Sequence, residues 1–221
     1  YWVEEREVLA RIADAPKAII KAWRTGNIDE LSKALREPGI PRQLAALADS
    51  SDLLAEVGAW LEAHSPRWLM GWRDITNATN ERTVIASVLP RAGVGNKIPL
   101  KLFRGNICCY LKACLLSDIN CLPHDYIARQ KLGGTTLNYF IYKQLPVLPP
   151  EAYNANDLAF IIPRVFALTY TAYDIAGWAE DLWNSLDANT RTRVYRRSQL
   201  EGNHYRRMSE PEIHQSGIAQ D

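Results

Sequence analysis

The chain has 221 residues, of which 47% are hydrophobic and 23% charged, with a formal net charge of +1. That is enough apolar side chain for one substantial core or two modest ones, which excludes a polar disordered chain. No stretch reaches the roughly 18 to 20 uninterrupted apolar residues of a bilayer span, and the opening YWVEEREVL lacks the basic start and apolar run of a signal peptide.

The expectation is therefore a cytoplasmic protein with no membrane partner. The chain opens on Tyr1, within what already reads as an amphipathic element, which points to a piece of a longer protein.

From Val3 to His64 the apolar residues recur at helical spacing: Val3, Leu9 and Ile12, then Ile19, Ile20 and Trp23, then Leu31 and Leu35, and on through Leu44, Leu47, Leu53, Leu54, Val57, Trp60 and Leu61. Pro16, Thr25-Gly26-Asn27, Pro38-Gly39-Ile40-Pro41, Asp49-Ser50-Ser51-Asp52 and Ser65-Pro66 punctuate the pattern, and four helices are predicted. No side chain here suggests chemistry, so residues 1–66 are read as a helical scaffold or spacer.

After Pro66 the texture turns to Trp, Ile, Val and Thr, which favours strands. Residues 68–75 and 83–89 are predicted to pair as a hairpin across the turn Thr76-Asn77-Ala78-Thr79-Asn80. A glycine-containing loop over 90–97 leads to a short strand at 98–103 and a helix from about 106 to 117. A second helix starts at Pro123, where proline is tolerated, and stops at Gly133-Gly134.

Residues 158–183 read as mostly helical, broken at Pro163 and Gly177, and the polar, arginine-rich chain beyond Leu186 reads as a loosely ordered tail. The expected class is α+β: a helical N-terminal part over 1–66, then a small mixed sheet flanked by helices as the core over 67–150, then a mostly helical C-terminal part with a polar tail over 151–221.

The near-neutral total hides an uneven distribution. Residues 67–149 carry 11 basic and 4 acidic residues, whereas the segments before and after are both net acidic. A basic segment between acidic ones is a candidate footprint for a polyanion, although a charge run is also what an ordinary solvated face looks like.

Several chemistries lack their parts. Cys108, Cys109, Cys114 and Cys121 fall in one apolar run without the paired spacing of a zinc site and read as small hydrophobes on a helix in a reducing compartment. His64, His124, His204 and His214 are scattered, with no carboxylate or cysteine at ligand spacing, and read as surface or capping residues rather than catalysts. There is no GxxxxGK, HExxH or Glu-x-Lys pair.

Methylation of an adenine amine needs an Asn/Asp-Pro-Pro-aromatic loop to hold the flipped base. Pro149-Pro150 lies between Leu148 and Glu151 and does not supply it. Gly93-Val94-Gly95 is too short a glycine pattern for a nucleotide or S-adenosylmethionine turn. No catalytic residue, metal or cofactor is expected in this chain.

Two stretches carry functional signals. In residues 71–83 the side chains of Arg73, Asn77, Asn80 and Arg82 are of the kinds that pair with guanine, adenine or phosphate. They equally suit a polar turn that satisfies its own backbone. In residues 127–143 a basic helix end with Arg129 and Lys131 meets two glycines, Thr135, Thr136, Asn138 and Lys143. Such a stretch could approach phosphates closely, or simply be a basic helix C-cap.

The stretches WRDITNATNERTVIASVLPRAGVGN (72–96) and YIARQKLGGTTLNYFIYKQLPVLPP (126–150), in this order and spacing, resemble the C-terminal target-recognition region of class I adenine-specific DNA methyltransferases. Those are the enzymes of type IIG restriction-modification and of DISARM and BREX phage defence. YWVEEREVLARIA (1–13) and RVFALTYTAYDIAGWAEDL (164–182) resemble segments that flank this region in the family. There is also a distant similarity to the recognition domains of type I specificity subunits.

The resemblance implies that S-adenosylmethionine and the catalytic loop belong to a separate N-terminal methyltransferase domain, encoded before Tyr1. The first expectation is therefore recognition of double-stranded DNA, with Arg73, Asn77, Asn80, Arg82, Arg91, Asn96 and Lys97 as groove or phosphate contacts and Arg129, Lys131, Thr135, Thr136, Asn138 and Lys143 holding the backbone. The competing expectation is a docking module that packs on the methyltransferase domain through Leu137-Asn138-Tyr139-Phe140 and Gln144-Leu145-Pro146 without touching DNA. Single-strand binding through Trp68, Trp72, Tyr139 and Tyr142 is a third expectation, weakened because core packing explains aromatic residues on strands.

Overall fold

The computed structural model describes residues 3–103 and 105–200, with side chains through Arg197. The predicted polar tail beyond Leu200, with His204 and His214, lies outside the described residues. The chain divides into two compact units, one running up to Arg67 and including Arg91–Val94, the other made of Trp68–Pro90 and the chain from Gly95 onward.

The first unit is helical: α1 (Glu5–Ile12), α2 (Lys17–Thr25), α3 (Ile28–Leu35), the short α4 (Arg42–Ala45) continued by a 3-10 turn (Ala46–Asp49), and α5 (Leu53–Ala63). The fifth helical piece is the short α4, which the interval between two turn signals hides. Gly26, at φ 72°, ends α2 in the left-handed conformation that glycine adopts without strain. The Asn27 side chain then accepts from the Glu30 amide to start α3.

Leu9, Ile19, Trp23, Leu31, Leu35, Leu44, Val57 and Leu61 form the core of this unit. The Trp23 indole donates to the Leu54 carbonyl at 3.0 Å.

The second unit is built on a three-stranded sheet of β1 (Trp68–Trp72), β2 (Ala86–Pro90) and β3 (Leu100–Lys101), in the order β2-β1-β3. Both pairings are antiparallel, with Trp68 opposite Pro90 and Met70 opposite Lys101. The sheet is thus antiparallel throughout rather than mixed. All five β1 residues are buried, as the central strand requires. Gly71 is the point of closest approach: a Cβ there would lie 2.8 Å from the Pro99 carbonyl oxygen, so only glycine lets the chain before β3 run this near.

The helices of this unit are α6 (Cys109–Ile119), α7 (Leu122–Lys131), the four-residue α8 (Tyr139–Tyr142), α9 (Ala155–Thr169), α10 (Ala176–Asn184) and α11 (Ala188–Leu200). Residues on either side of position 150, set apart by the sequence reading, share one core. Trp68, Met70, Val88 and Cys114 pack with Ile162, Phe166, Trp178, Leu182 and Val194. A smaller cluster joins Trp72, Val84 and Ile119 to Ala128, Leu137, Tyr142 and Leu145.

Two expected breaks are absent. Pro163 is buried inside a continuous α9, which a reciprocal capping box between Asn154 and Asp157 starts firmly. Gly177 sits in the first turn of α10 rather than interrupting it.

Residues 188–200, read as the start of a loose tail, form a helix that packs along α9. Asp187 holds the start of that helix by accepting from the Thr190 amide at 2.8 Å and hydroxyl at 2.9 Å. The result is the α+β class expected, with no described helix long and apolar enough to cross a membrane.

At Ala86 the outer edge of β2 is covered by a side chain. At the C-cap of α6, the Asn120 amide accepts from the Ala86 N–H and donates to the Ala86 carbonyl, both at 3.0 Å, as a neighbouring strand would.

Candidate nucleic-acid interface

The two functional stretches converge in the second unit. Ile75 and Thr136 form an antiparallel bridge, the Thr76 amide donates to the Thr135 carbonyl at 3.0 Å, and the Leu137 amide donates to the Asp74 carbonyl at 2.7 Å. The Trp72 indole donates to the Leu137 carbonyl at 2.8 Å, across 65 residues of sequence.

Beneath this junction lies one carboxylate. Asp125, buried on α7, accepts from the Val84 amide at 2.8 Å, from Arg129 at 3.1 Å and from Arg82 at 3.4 Å. Arg82 also donates to the Asn120 carbonyl at 2.6 Å, and Arg129 donates to the carbonyls of Asn80 and Glu81 at 3.0 Å. These two arginines therefore tie the hairpin turn to α6 and α7.

Arg73, although exposed, donates to the Arg82 carbonyl at 2.9 Å and braces the same turn. Asn77 accepts from the Thr79 amide and hydroxyl, and Asn80 donates to the Thr76 hydroxyl at 3.3 Å, so both Asn side chains shape the turn locally. Arg91 belongs to the first unit, where it pairs with Glu5 at 2.9 Å and Glu62 at 2.5 Å.

The remaining residues are the outward ones. Asn96, Lys97, Lys131, Thr135, Asn138 and Lys143 are exposed, and Thr136 is half-buried. Lys97 reaches only to 3.8 Å from Asp74, and Lys143 lies 6.0 Å over the Tyr139 ring. Asn138 caps α8 by accepting from the Ile141 amide. Gly133 and Gly134 have neither a left-handed backbone nor any atom within 4 Å of where a Cβ would stand, so nothing inside the protein requires glycine there.

The reading of the cysteines as small buried hydrophobes on a helix holds for Cys109 and Cys114 but not for Cys108, which is exposed, or Cys121, which is half-buried, both standing just before a helix. Cys109 and Cys114 are buried, and burial pushes each thiol up to about 12, far from reactive thiolate character. Among the described residues no cluster of three or more His, Cys, Asp or Glu is placed to hold a metal ion.

His124, expected as a surface or capping residue, is instead buried on α7, with Nδ1 3.0 Å from the Pro146 carbonyl and Nε2 without a partner. Burial lowers its pKa, with Lys101 acting in the same direction, while the Pro146 bond, Asp118 and Asp125 act against it. A depressed histidine pKa means that the unfolded chain takes up the proton first. Stability is therefore full above the ordinary value of 6.5 and falls as pH drops below it.

Asp125 behaves as a second, more acidic stage. Burial, the largest single influence, opposes its ionisation, but the Val84 amide, Arg129 and Arg82 together hold the carboxyl below its usual 3.8. Its contribution is present above that value and disappears as pH falls through the lowered pKa. Urea unfolding at a series of pH values is expected to show stability declining from below about 6.5. In His124→Gln that upper stage should vanish while the lower one remains; an unchanged upper stage would contradict the assignment.

No protein-family model, curated protein or solved structure matches the chain.

Proposed function

We propose that the second unit recognises duplex DNA on behalf of an adenine-specific, S-adenosylmethionine-dependent methyltransferase domain of restriction-modification or phage defence, and that it catalyses nothing itself. The observation that carries this reading is the division of labour at the junction of the two stretches. Arg82, Arg129 and Asp125 hold the two together from within, and Lys97, Lys131, Thr135, Asn138 and Lys143 are left on the outside.

The unexplained Gly133-Gly134 pair supports the reading, since a surface without Cβ atoms admits a phosphate backbone closely. Phosphate contacts would position the duplex, and Asn96 is an outward amide able to read a base edge.

The test is equilibrium binding of the 221-residue chain to a mixed-sequence duplex at a series of salt concentrations. Affinity should fall steeply with salt, and Lys131→Ala or Lys143→Ala should each reduce the logarithmic salt slope by about 1 without altering the fold. Arg82→Ala and Arg129→Ala are unsuitable probes because both residues hold the framework.

A second reading, docking on a methyltransferase domain, is favoured by Leu122 and Tyr126. They stand one turn apart on α7 and are 72% and 65% exposed. A folded chain with no affinity for duplex at low salt would select it.

A further inference from the structure

Phe140 is 76% exposed, yet it projects from a part of the molecule that is fixed with unusual care. Helix α8 has only four residues, too few to hold together in water. Four contacts secure it. Asn138 caps its first turn; Tyr142 stacks on Trp72 with ring centroids 3.8 Å apart and planes 4° from parallel; Tyr139 meets Trp72 edge-on at 4.9 Å; and the Tyr139 hydroxyl donates to the Leu100 carbonyl at 2.9 Å. Trp72 is itself buried on the central strand. The outcome of this bracing is a rigidly seated α8 with one bare phenyl ring in solvent.

Asn138 and Lys143, both exposed, lie on the same short segment, two residues before Phe140 and three after. An exposed apolar ring on a braced segment, with the Lys143 cation three residues on, matches a nucleobase, which offers a flat π-face attached to an anionic backbone, better than it matches a lipid or an apolar peptide. We propose that Phe140 stacks on a nucleobase that is unpaired or drawn partly out of the helix, with Lys143 beside it on the backbone. The inference rests on the DNA-recognition reading and adds to it that the chain favours locally opened DNA over an intact duplex.

The experiment compares the 221-residue chain, wild type and as Phe140→Ala and Phe140→Trp, on two DNAs of one sequence, a perfect duplex and the same duplex with one unpaired adenine. Wild type should bind the bulged DNA about tenfold more tightly, Phe140→Ala should lose that preference while keeping its affinity for the perfect duplex, and Phe140→Trp should retain it. An exposed ring leaves the fold intact when truncated, so loss of preference cannot be a folding defect; the circular dichroism of all three proteins should coincide. If Phe140→Ala keeps the preference, or wild type shows none while still binding DNA in a salt-dependent way, the stacking role is wrong and the recognition reading stands. Absence of binding to either DNA overturns both and leaves Phe140 to a protein partner.

Discussion

Asp125→Ala is expected to lower the stability of the second unit by about 3 kcal/mol, seen as a fall in the urea midpoint with an unchanged slope. The carboxylate neutralises two arginines and receives the Val84 amide, and its removal leaves that amide without its acceptor and both guanidinium groups without a counter-charge, each keeping only its carbonyl partners. Both arginine side chains are about a third exposed, which lets water relieve part of the imbalance and places the loss at the lower end for a broken buried pair. Asp125→Asn, which keeps one acceptor, should lose less. A drop below about 1 kcal/mol for the alanine variant would mean that the hairpin turn is held by its own hydrogen bonds and not by this carboxylate.

The second large effect is expected at Trp72. Trp72→Ala removes a side chain only 2% exposed, its stack on Tyr142, its edge contact with Tyr139 and its bond to the Leu137 carbonyl. A loss of about 3 to 5 kcal/mol is expected from the cavity and transfer terms. A double-mutant cycle with Tyr142→Ala should show a coupling of about 1 kcal/mol. Additive effects would show that Trp72 fills space without fixing α8. Because α8 carries Phe140, the same substitution should also weaken any DNA preference, whereas Phe140→Ala should change stability by no more than about 0.5 kcal/mol.

Much of the architecture was readable from short-range pattern. The strands of the hairpin announce themselves through Trp68, Trp72, Val84 and Val88 around an Asn- and Thr-rich turn, and α7 through Pro123 at its start and Gly133-Gly134 after its end. Helix α11 escaped because its face toward α9 rests on Val194 with otherwise polar or arginine neighbours, and its cap depends on Asp187, whose partner Thr190 is an inconspicuous residue.

The candidate site was legible as two stretches but not as a division between inside and outside. An arginine fork fits a phosphate and a buried carboxylate equally well. Arg82 and Arg129 were thus indistinguishable in the sequence from Lys131 and Lys143. Only the arrival of Asp125, 43 residues beyond Arg82, separates the arginines that brace the framework from the cations that face solvent. His124 was missed for a related reason: one histidine on a helix gives no sign that its ring is enclosed.

The Asn120 amide at the edge of β2 has a consequence for how these molecules behave at high concentration. A strand edge with a free N–H and carbonyl is a template on which a second chain can add, and repeated addition leads to fibres. By occupying both groups of Ala86, Asn120 blocks strand addition at that residue, and being supplied from a helix end it cannot propagate the sheet. The protection resides in a single side chain, so its loss would expose at that point an edge bordered by the already solvent-facing Ile85, and solubility would decline before stability did.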